Sequence, residues 1–210
     1  MTVSNDETSQ TIFEIFEQYF SLVSVDNLEL LQTSQRLRYS VYCVEHHFEE
    51  ESAHPDQIEV DIYDSLSAHT LLRHQLSEGY AATVRLVLPK SLSEDNLFPI
   101  ESHSDIDVDK QEMIKHCARA HIAEISRFAV SKTFRKRLGE AQVSHGLTNQ
   151  HDDHDGKRLI PHITLGLFKA IVKMSIEHDI HHWYAVMEVI LIRLLKRFGI
   201  YFTQIGPAVE

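Results

Sequence analysis

The chain lacks most of what would place it outside a reducing compartment or in a membrane. Among its 210 residues only Cys43 and Cys117 are cysteines, so no disulfide framework is available and both thiols are expected to be reduced. No stretch approaches the roughly 18 apolar residues that a membrane-spanning helix needs. Met1 to Gln10 is polar and acidic rather than signal-like, so a cytoplasmic protein without a transmembrane segment is expected. Positive charge is scarce. Twenty Lys and Arg stand against 31 Asp and Glu, and the net charge of −11 argues against a nucleic-acid partner. There is one tryptophan, Trp183, and no internal repeat. Fifteen histidines are present, yet none has H-E-x-x-H or Cys/His ligand spacing, so no metal site is expected. His151-Asp152-Asp153-His154-Asp155 reads as a solvated loop, and Cys43 as a core residue. Cys117 beside His116 is a neighbour in sequence only, which is weak ground for a thiol nucleophile.

What is present is a 43% apolar chain, enough for one domain with a real core over residues 1–210. Residues 1–10 read as a frayed tail. Ile12, Phe13, Ile15, Phe16, Tyr19 and Phe20 have helical spacing, and the stretch from Phe20 to Val25 suits a first strand. Asp26 is the expected N-cap of a helix whose apolar face runs Leu30, Leu37, Val41, Val44, Phe48, with Arg38, Tyr42 and Glu45 as a second stripe. An acidic loop with Pro55 covers 49–57. Strands follow at 68–74 and 80–88 around a turn at Ser77-Glu78-Gly79, then a polar stretch with a short helix near 110–119. A strand spans 121–130, and 132–158 forms a long loop expected to be mobile. A helix from Pro161 to about His178 carries Ile163, Leu167, Ile171 and Met174 on its apolar face. A strand at 182–188, a buried helix at 189–198 and a last strand at 200–205 close the chain. This order predicts a mixed α/β (α+β) fold.

The most informative segment is Glu124-Ile125-Ser126-Arg127-Phe128-Ala129-Val130. It reads as a core strand but carries a carboxylate and a guanidinium, and burying either unpaired costs several kcal/mol. Regular pairing puts Glu124, Ser126, Phe128 and Val130 on one face and Ile125, Arg127 and Ala129 on the other. Glu124 and Arg127 can share a pocket only if a bulge or splay breaks that alternation.

This strand resembles the signature strand of the acyl-homoserine-lactone synthases and the related N-acyl amino acid synthases. Arg38-Tyr39-Ser40-Val41-Tyr42-Cys43-Val44-Glu45 is similar to their R-x-x-V-F/Y element, and Asp61-Ile62-Tyr63-Asp64 to their D-x-Y/F-D element. Ala82-Thr83-Val84-Arg85-Leu86-Val87 resembles their R-L strand, and Phe98-Pro99-Ile100 their F-P turn. Trp183-Tyr184-Ala185-Val186-Met187-Glu188 and Leu194-Leu195-Lys196-Arg197-Phe198-Gly199-Ile200 resemble the closing strand and helix. The details look closest to the acyltransferase branch associated with PEP-CTERM/exosortase systems. The resemblance implies a GNAT-like acyltransferase fold: a central, mixed but mostly antiparallel sheet with a splayed strand pair, flanked by helices. The splay is expected between Phe128–Val130 and Trp183–Ala185. The implied reaction moves a medium or long acyl chain from an acyl thioester to the α-amine of an amino acid or related small amine, with no resident cofactor. The implied donor is the acyl-phosphopantetheine of an acyl carrier protein, with acyl-CoA as the other possibility. Only Arg137-Leu138-Gly139 and distant Gly146 approach the R/Q-x-x-G-x-G/A turn of CoA-binding acetyltransferases, which favours the carrier protein. One departure stands out. Homoserine-lactone synthases, which lactonise S-adenosylmethionine, keep tryptophans near the N-terminal element, where this chain has His47-Phe48.

Glu124 is the candidate base, alone or through a water, or else it pairs with an arginine. Arg127 and Ser126 complete the candidate catalytic set. By resemblance Asp61 and Asp64 line the acceptor site, while Arg85 and Arg127 orient them or the acceptor's carboxylate, or build a structural ion network. Arg38 is a candidate loop clamp or an exposed helical arginine. Phe128, Ala129 and Val130 would hold the pantetheine arm, and Trp183 and Tyr184 would line core or an acyl tunnel. Lys132, Arg135, Lys136 and Arg137 are the one concentrated basic run, suited to an acidic carrier protein or to a solvated loop. A silent carrier-binding or lipid-binding module is the rival from another class. The oligomeric state is left open.

Overall fold

The computed structural model describes residues 12–89, 97–132, 134 and 153–208. In chain order, α1 is Ile12–Tyr19, β1 Phe20–Ser24, α2 Leu28–Tyr39, β2 Ser67–His74 and β3 Tyr80–Val87. Then come α3 Pro99–His103, α4 Val108–Lys115, β4 Ile122–Val130, α5 Asp153–Glu177, β5 His182–Ala185 and α6 Val189–Arg197. The strands form one sheet in sequence order, antiparallel from β1 to β4, with β5 added parallel to β4. A parallel neighbour needs a crossover, and α5 provides it.

The period-two pattern of β3 divides the molecule. Ala82, Val84 and Leu86 face Ile163, Leu167, Ile171 and Met174 of α5 in the main core, together with Ala123 and Ile125 of β4. Thr83 and Arg85 point the other way, toward α2. That second face is polar, and α2 buries Ser34, Gln35 and Arg38 against it. Ser34 Oγ meets Thr83 Oγ1 at 2.8 Å, and Gln35 Nε2 donates to Asp64 Oδ2 at 3.1 Å. A smaller cluster of Val87, Phe98, Ile100, Ile122 and Tyr184 closes the β5 end of this face.

Several expected details differ. Asn27, not Asp26, caps α2, accepting from the Leu30 N–H at 3.0 Å. Of the apolar stripe assigned to this helix, Val41 is buried and Leu30 and Leu37 are half-buried, but its far end is not. Val44 and Phe48 are 44% and 63% exposed, because the helix lies over charged groups and changes pitch into a π-helical turn at Ser40–Glu45. α5 begins at Asp153, so the end of the expected 132–158 loop is helical; residues 133 and 135–152 lie outside the described residues, as does the 1–10 tail. β5 stops at Ala185 and α6 buries only Leu195, so it is a surface helix. Residues 200–205 form no strand; Ile200 and Phe202 pack on the core, and the Ile205 carbonyl accepts from the Asp107 N–H at 2.9 Å.

Gly166 is where α5 meets α1: a Cβ there would lie 2.1 Å from Phe16 Cε2. Gly166→Ala is expected to cost about 1–3 kcal/mol of stability by overpacking, and Phe16→Leu in the same chain should restore part of it. Urea unfolding midpoints measure both; a midpoint unchanged by Gly166→Ala would mean that Phe16 does not sit there.

Candidate active site

An irregularity between β3 and β4 builds the site. Thr83 faces Ala129 and Arg85 faces Ser126, so β4 advances three residues where β3 advances two. The extra residue falls at Arg127, whose φ of 50° is left-handed. A non-glycine held there costs roughly 1–3 kcal/mol, which other contacts must offset. The bulge turns Arg127 onto the face that carries Arg85 and Ser126, the break in alternation that the sequence demands.

Three arginines and three carboxylates meet on that face, with a fourth carboxylate, Glu49, at its edge 3.5 Å from Arg127 Nη2. Arg38 of α2 is fully buried; its Nε binds Glu59 Oε2, its Nη1 reaches Asp64 Oδ1 at 2.6 Å, and its Nη2 donates to the Glu59 carbonyl at 2.8 Å. Arg85 Nη1 donates to Asp61 Oδ1 at 2.5 Å and Asp64 Oδ1 at 2.8 Å, and its Nη2 to Asp61 Oδ2 at 2.8 Å. Its Nε donates to Ser126 Oγ at 2.9 Å. Arg127 donates to Glu59 Oε1 through Nε and Nη2 at 3.1 and 2.9 Å and to Asp61 Oδ2 at 3.1 Å, with its guanidinium over the Tyr42 ring. Burial alone would push the Asp64 carboxyl up, but hydrogen bonds and charge from Arg38 and Arg85 outweigh it and hold it well below the usual carboxylate range. Glu59 and Asp61 are lowered in the same way, against their own burial, by Arg38 with Arg127 and by Arg85.

Glu124 behaves in the opposite sense. It is 4% exposed and forms no ion pair among the described residues. Its Oε2 accepts from the Ile100 N–H at 2.9 Å, and no described residue donates to its Oε1. Burial pushes its carboxyl up to about 7, more than the Ile100 hydrogen bond lowers it. Among the described residues Glu124 pairs with no arginine; Glu59, Asp61 and Asp64 engage Arg85 and Arg127 instead. Ile100 belongs to α3, which is anchored in turn: Glu101 accepts from the Phe98 N–H at 3.0 Å, and from Arg119 through both carboxylate oxygens at 2.9 Å.

The acetyltransferase (GNAT) domain family matches residues 37–144, half of the chain, and that span contains the whole network and Glu124. The chain belongs to the GNAT acetyltransferases. It is an acyltransferase, and its fold is shared with solved acyl-homoserine lactone synthases. The AHL synthase LasI superposes with a TM-score of 0.54 at 17% identity, over 91% of this chain and 82% of that one. BjaI, a CoA-dependent acyl-homoserine lactone synthase, does so in its structure with MTA (0.55, 21%, 91% and 77%) and in that with SAM and isopentyl-CoA (0.54, 21%, 91% and 77%). No curated protein matches the chain. Among the described residues no helix is long and apolar enough to cross a membrane.

In this GNAT domain β4 pairs with β5 only from Ile122↔His182 to Ile125↔Ala185. Trp183 and Tyr184 therefore lie in the paired stretch, opposite Ala123 and Glu124, and the pairing ends at Ala185 while β4 runs on to Val130. This corrects the expected splay against Trp183–Ala185. Tyr184 donates to Glu101 Oε1 at 3.3 Å, and Trp183 Nε1 to Ser175 Oγ at 2.8 Å, which fixes both rings. Ala129 is buried, Phe128 packs beside Phe168, and Phe128 and Val130 both rest on the main core. The Lys132 N–H donates to the Glu45 carboxylate at 2.9 and 3.0 Å, and its ammonium to the Glu45 carbonyl at 3.1 Å. Arg135, Lys136 and Arg137 lie outside the described residues. Arg38 is a clamp and not an exposed helical residue. The sequence reading missed Glu59, 1% exposed: its alternation with Val60 and Ile62 would put the apolar residues inside, whereas the structure exposes them and buries the acid against Arg38 and Arg127.

Arg38→Met leaves Glu59 and Asp64 buried with some of their counter-charge gone, which should cost about 3–5 kcal/mol. These carboxyls titrate below their unfolded values, so their stabilisation is present above the unfolded pKa and fades as pH falls through the folded ones. Denaturant unfolding should show the full deficit at neutral pH and a smaller one below about pH 4. A deficit that grows on acidification would contradict the network.

Proposed function

We propose that this acyltransferase joins a medium or long acyl chain, carried as a phosphopantetheine thioester on an acyl carrier protein, to the primary amine of an amino acid or related small amine. The observation that carries the reading is Glu124: a buried carboxyl poised near neutrality, with one oxygen left for a proton, one step from where the β4–β5 pairing ends. The acceptor ammonium passes a proton to Glu124, directly or through a water, and the freed amine attacks the thioester carbon. The tetrahedral intermediate collapses with cleavage of the C–S bond, the nitrogen's remaining extra proton passes to the leaving sulfur, and the products are the amide, the carrier's thiol and a protonated Glu124 that returns its proton to solvent. Beyond Ile125 the β4 backbone groups facing away from β3 have no strand partner among the described residues, which suits a pantetheine arm and an oxyanion donor near Phe128, Ala129 and Val130. Asp61 and Arg127 are the network members with partly exposed side chains, 22% and 25%, so they are assigned to the acceptor's ammonium and carboxylate. Arg38, Arg85 and Asp64 lie beneath and hold them. Ser126 orients Arg85. The basic run Lys132, Arg135, Lys136 and Arg137 is assigned to steering the acidic carrier.

The second reading is an autoinducer synthase acting on S-adenosylmethionine; the folds of LasI and BjaI, the latter solved with SAM and isopentyl-CoA, favour it. The discriminating experiment is mass spectrometry of the products formed from carrier protein loaded with mixed chain lengths, acyl-CoAs, amino acids and S-adenosylmethionine. An N-acyl amino acid supports the first reading and an acyl-homoserine lactone the second; intact carrier binding with no product would favour a silent module.

Glu124→Gln should lower kcat by roughly 10²–10⁴-fold and leave carrier binding in place. The wild-type kcat/KM should rise as Glu124 ionises through about pH 7, and the variant's profile should lose that limb. Stability moves the other way. A carboxyl raised in the folded state favours folding below its unfolded pKa, and that benefit is lost as pH rises through about 7. Glu124→Gln should therefore be the more stable protein above neutrality, by up to roughly 3 kcal/mol. Unchanged turnover would remove Glu124 from the mechanism.

A further inference from the structure

We propose that Cys43, Glu49 and His54 form a binding site for a divalent ion of the zinc type, adjoining the reaction face through Glu49. Three chemically different donors come together here from a stretch with no recognised metal-ligand spacing. Cys43 lies in the π-helical turn, Glu49 in the loop that follows, and His54 just after the short turn Glu51–Ala53. Their ligand atoms all lie within 4.8 Å of one another. A tetrahedral zinc with bonds of about 2.0–2.3 Å sets its ligand atoms roughly 3.3–3.8 Å apart, so the cluster must close by about 1 Å. The residues that have to move are the ones able to. Cys43 is fully buried in its turn, whereas the Glu49 and His54 side chains are 35% and 14% exposed.

Both His54 nitrogens face acceptors: Nδ1 lies 3.1 Å from the Ile58 carbonyl and Nε2 2.9 Å from Glu49 Oε2, so Nε2 gives up a proton before it binds an ion, while the Ile58 carbonyl keeps hold of Nδ1. A backbone carbonyl holding the far nitrogen is the usual way in which a metal-binding histidine has its tautomer fixed. On binding, the Cys43 thiol and the His54 Nε2–H each give a proton to solvent as the sulfur–metal and nitrogen–metal bonds form, Glu49 Oε2 turns from His54 to the ion, and solvent takes the fourth position. Thiolate with imidazole selects zinc or cobalt over magnesium and calcium, which prefer oxygen alone. Glu49 Oε1 lies 3.5 Å from Arg127 Nη2, so an occupied site ties the 49–54 loop to the π turn and holds Glu49 against the arginine of the bulge.

A second group, His121, Asp179 and His181, serves as the control. Its two rings stack face to face at 4.5 Å between centroids and 6° between planes, and it offers no thiolate, so it cannot give the sulfur signature that marks the first site. The test is titration of the full chain with Co²⁺, read by absorbance, and with Zn²⁺ against a chromophoric chelator. The wild-type protein should give the thiolate-to-cobalt charge-transfer band and the visible bands of a four-coordinate ion. Cys43→Ser should abolish the charge-transfer band, and the more exposed His54→Gln should weaken zinc binding about tenfold or more. Cys117→Ser and His181→Gln should leave both signals intact. The cobalt spectrum of the wild type needs no variant, so a misfolded Cys43→Ser does not obscure the answer. Absence of the thiolate band, or its loss in Cys117→Ser, would overturn the proposal.

Discussion

Everything on the reaction face depends on a balance of charge in a place that water scarcely reaches. Three guanidinium groups, from Arg38, Arg85 and Arg127, meet three carboxylates, from Glu59, Asp61 and Asp64, and Arg38, Arg85 and Glu59 are at most 1% exposed. Each of the buried ions, Arg38, Arg85, Glu59 and Asp64, would cost several kcal/mol to bury alone, so none of them is tolerable without its partners. The guanidinium fork makes the balance geometric as well as electrostatic, because bidentate pairs fix planes and not only distances. The loop that carries Glu59, Asp61 and Asp64 is thereby pinned between a helix and two strands.

The same network accounts for the backbone anomaly. Arg127 sits in a left-handed conformation that a side chain rarely adopts, and Glu59 and Asp61 hold the guanidinium that this conformation presents. Removing the bulge would return Arg127 to the α5 face, into an apolar core of Ile163, Leu167 and Ile171 with no carboxylate at hand. Strain at one residue is the cost of keeping a charge out of that core.

Chemically the site rests on a contrast between carboxyls on one sheet face. Those in the 59–64 loop are held ionised by arginines; Glu124, three residues before Arg127 on β4, is buried beside α3 with the Ile100 N–H as its hydrogen-bond donor and is pushed toward neutrality. Residue type is the same and environment differs. A carboxyl that can take and release a proton near pH 7 is what amide formation from an ammonium requires.

The sequence by itself determined much of the architecture. The alternation of Ala82-Thr83-Val84-Arg85-Leu86 separates an apolar from a polar face, the 163–174 stripe makes α5, and the charged strand Glu124–Val130 announces a site, because periodicity and the cost of buried charge act locally. It also showed that Glu124 and Arg127, of opposite parity, could share a face only through a bulge or a splay, and the structure uses a bulge at Arg127. Tertiary structure decided the rest. α2 buries Ser34, Gln35 and Arg38 more deeply than Leu30 and Leu37 because what lies beneath it is a carboxylate loop, which no pattern within the helix records. Glu59 joins the network across 21 and 68 residues, to Arg38 and Arg127. Whether Glu124 pairs with an arginine or stands apart depends on which carboxylates reach those arginines first, and only the folded chain fixes that.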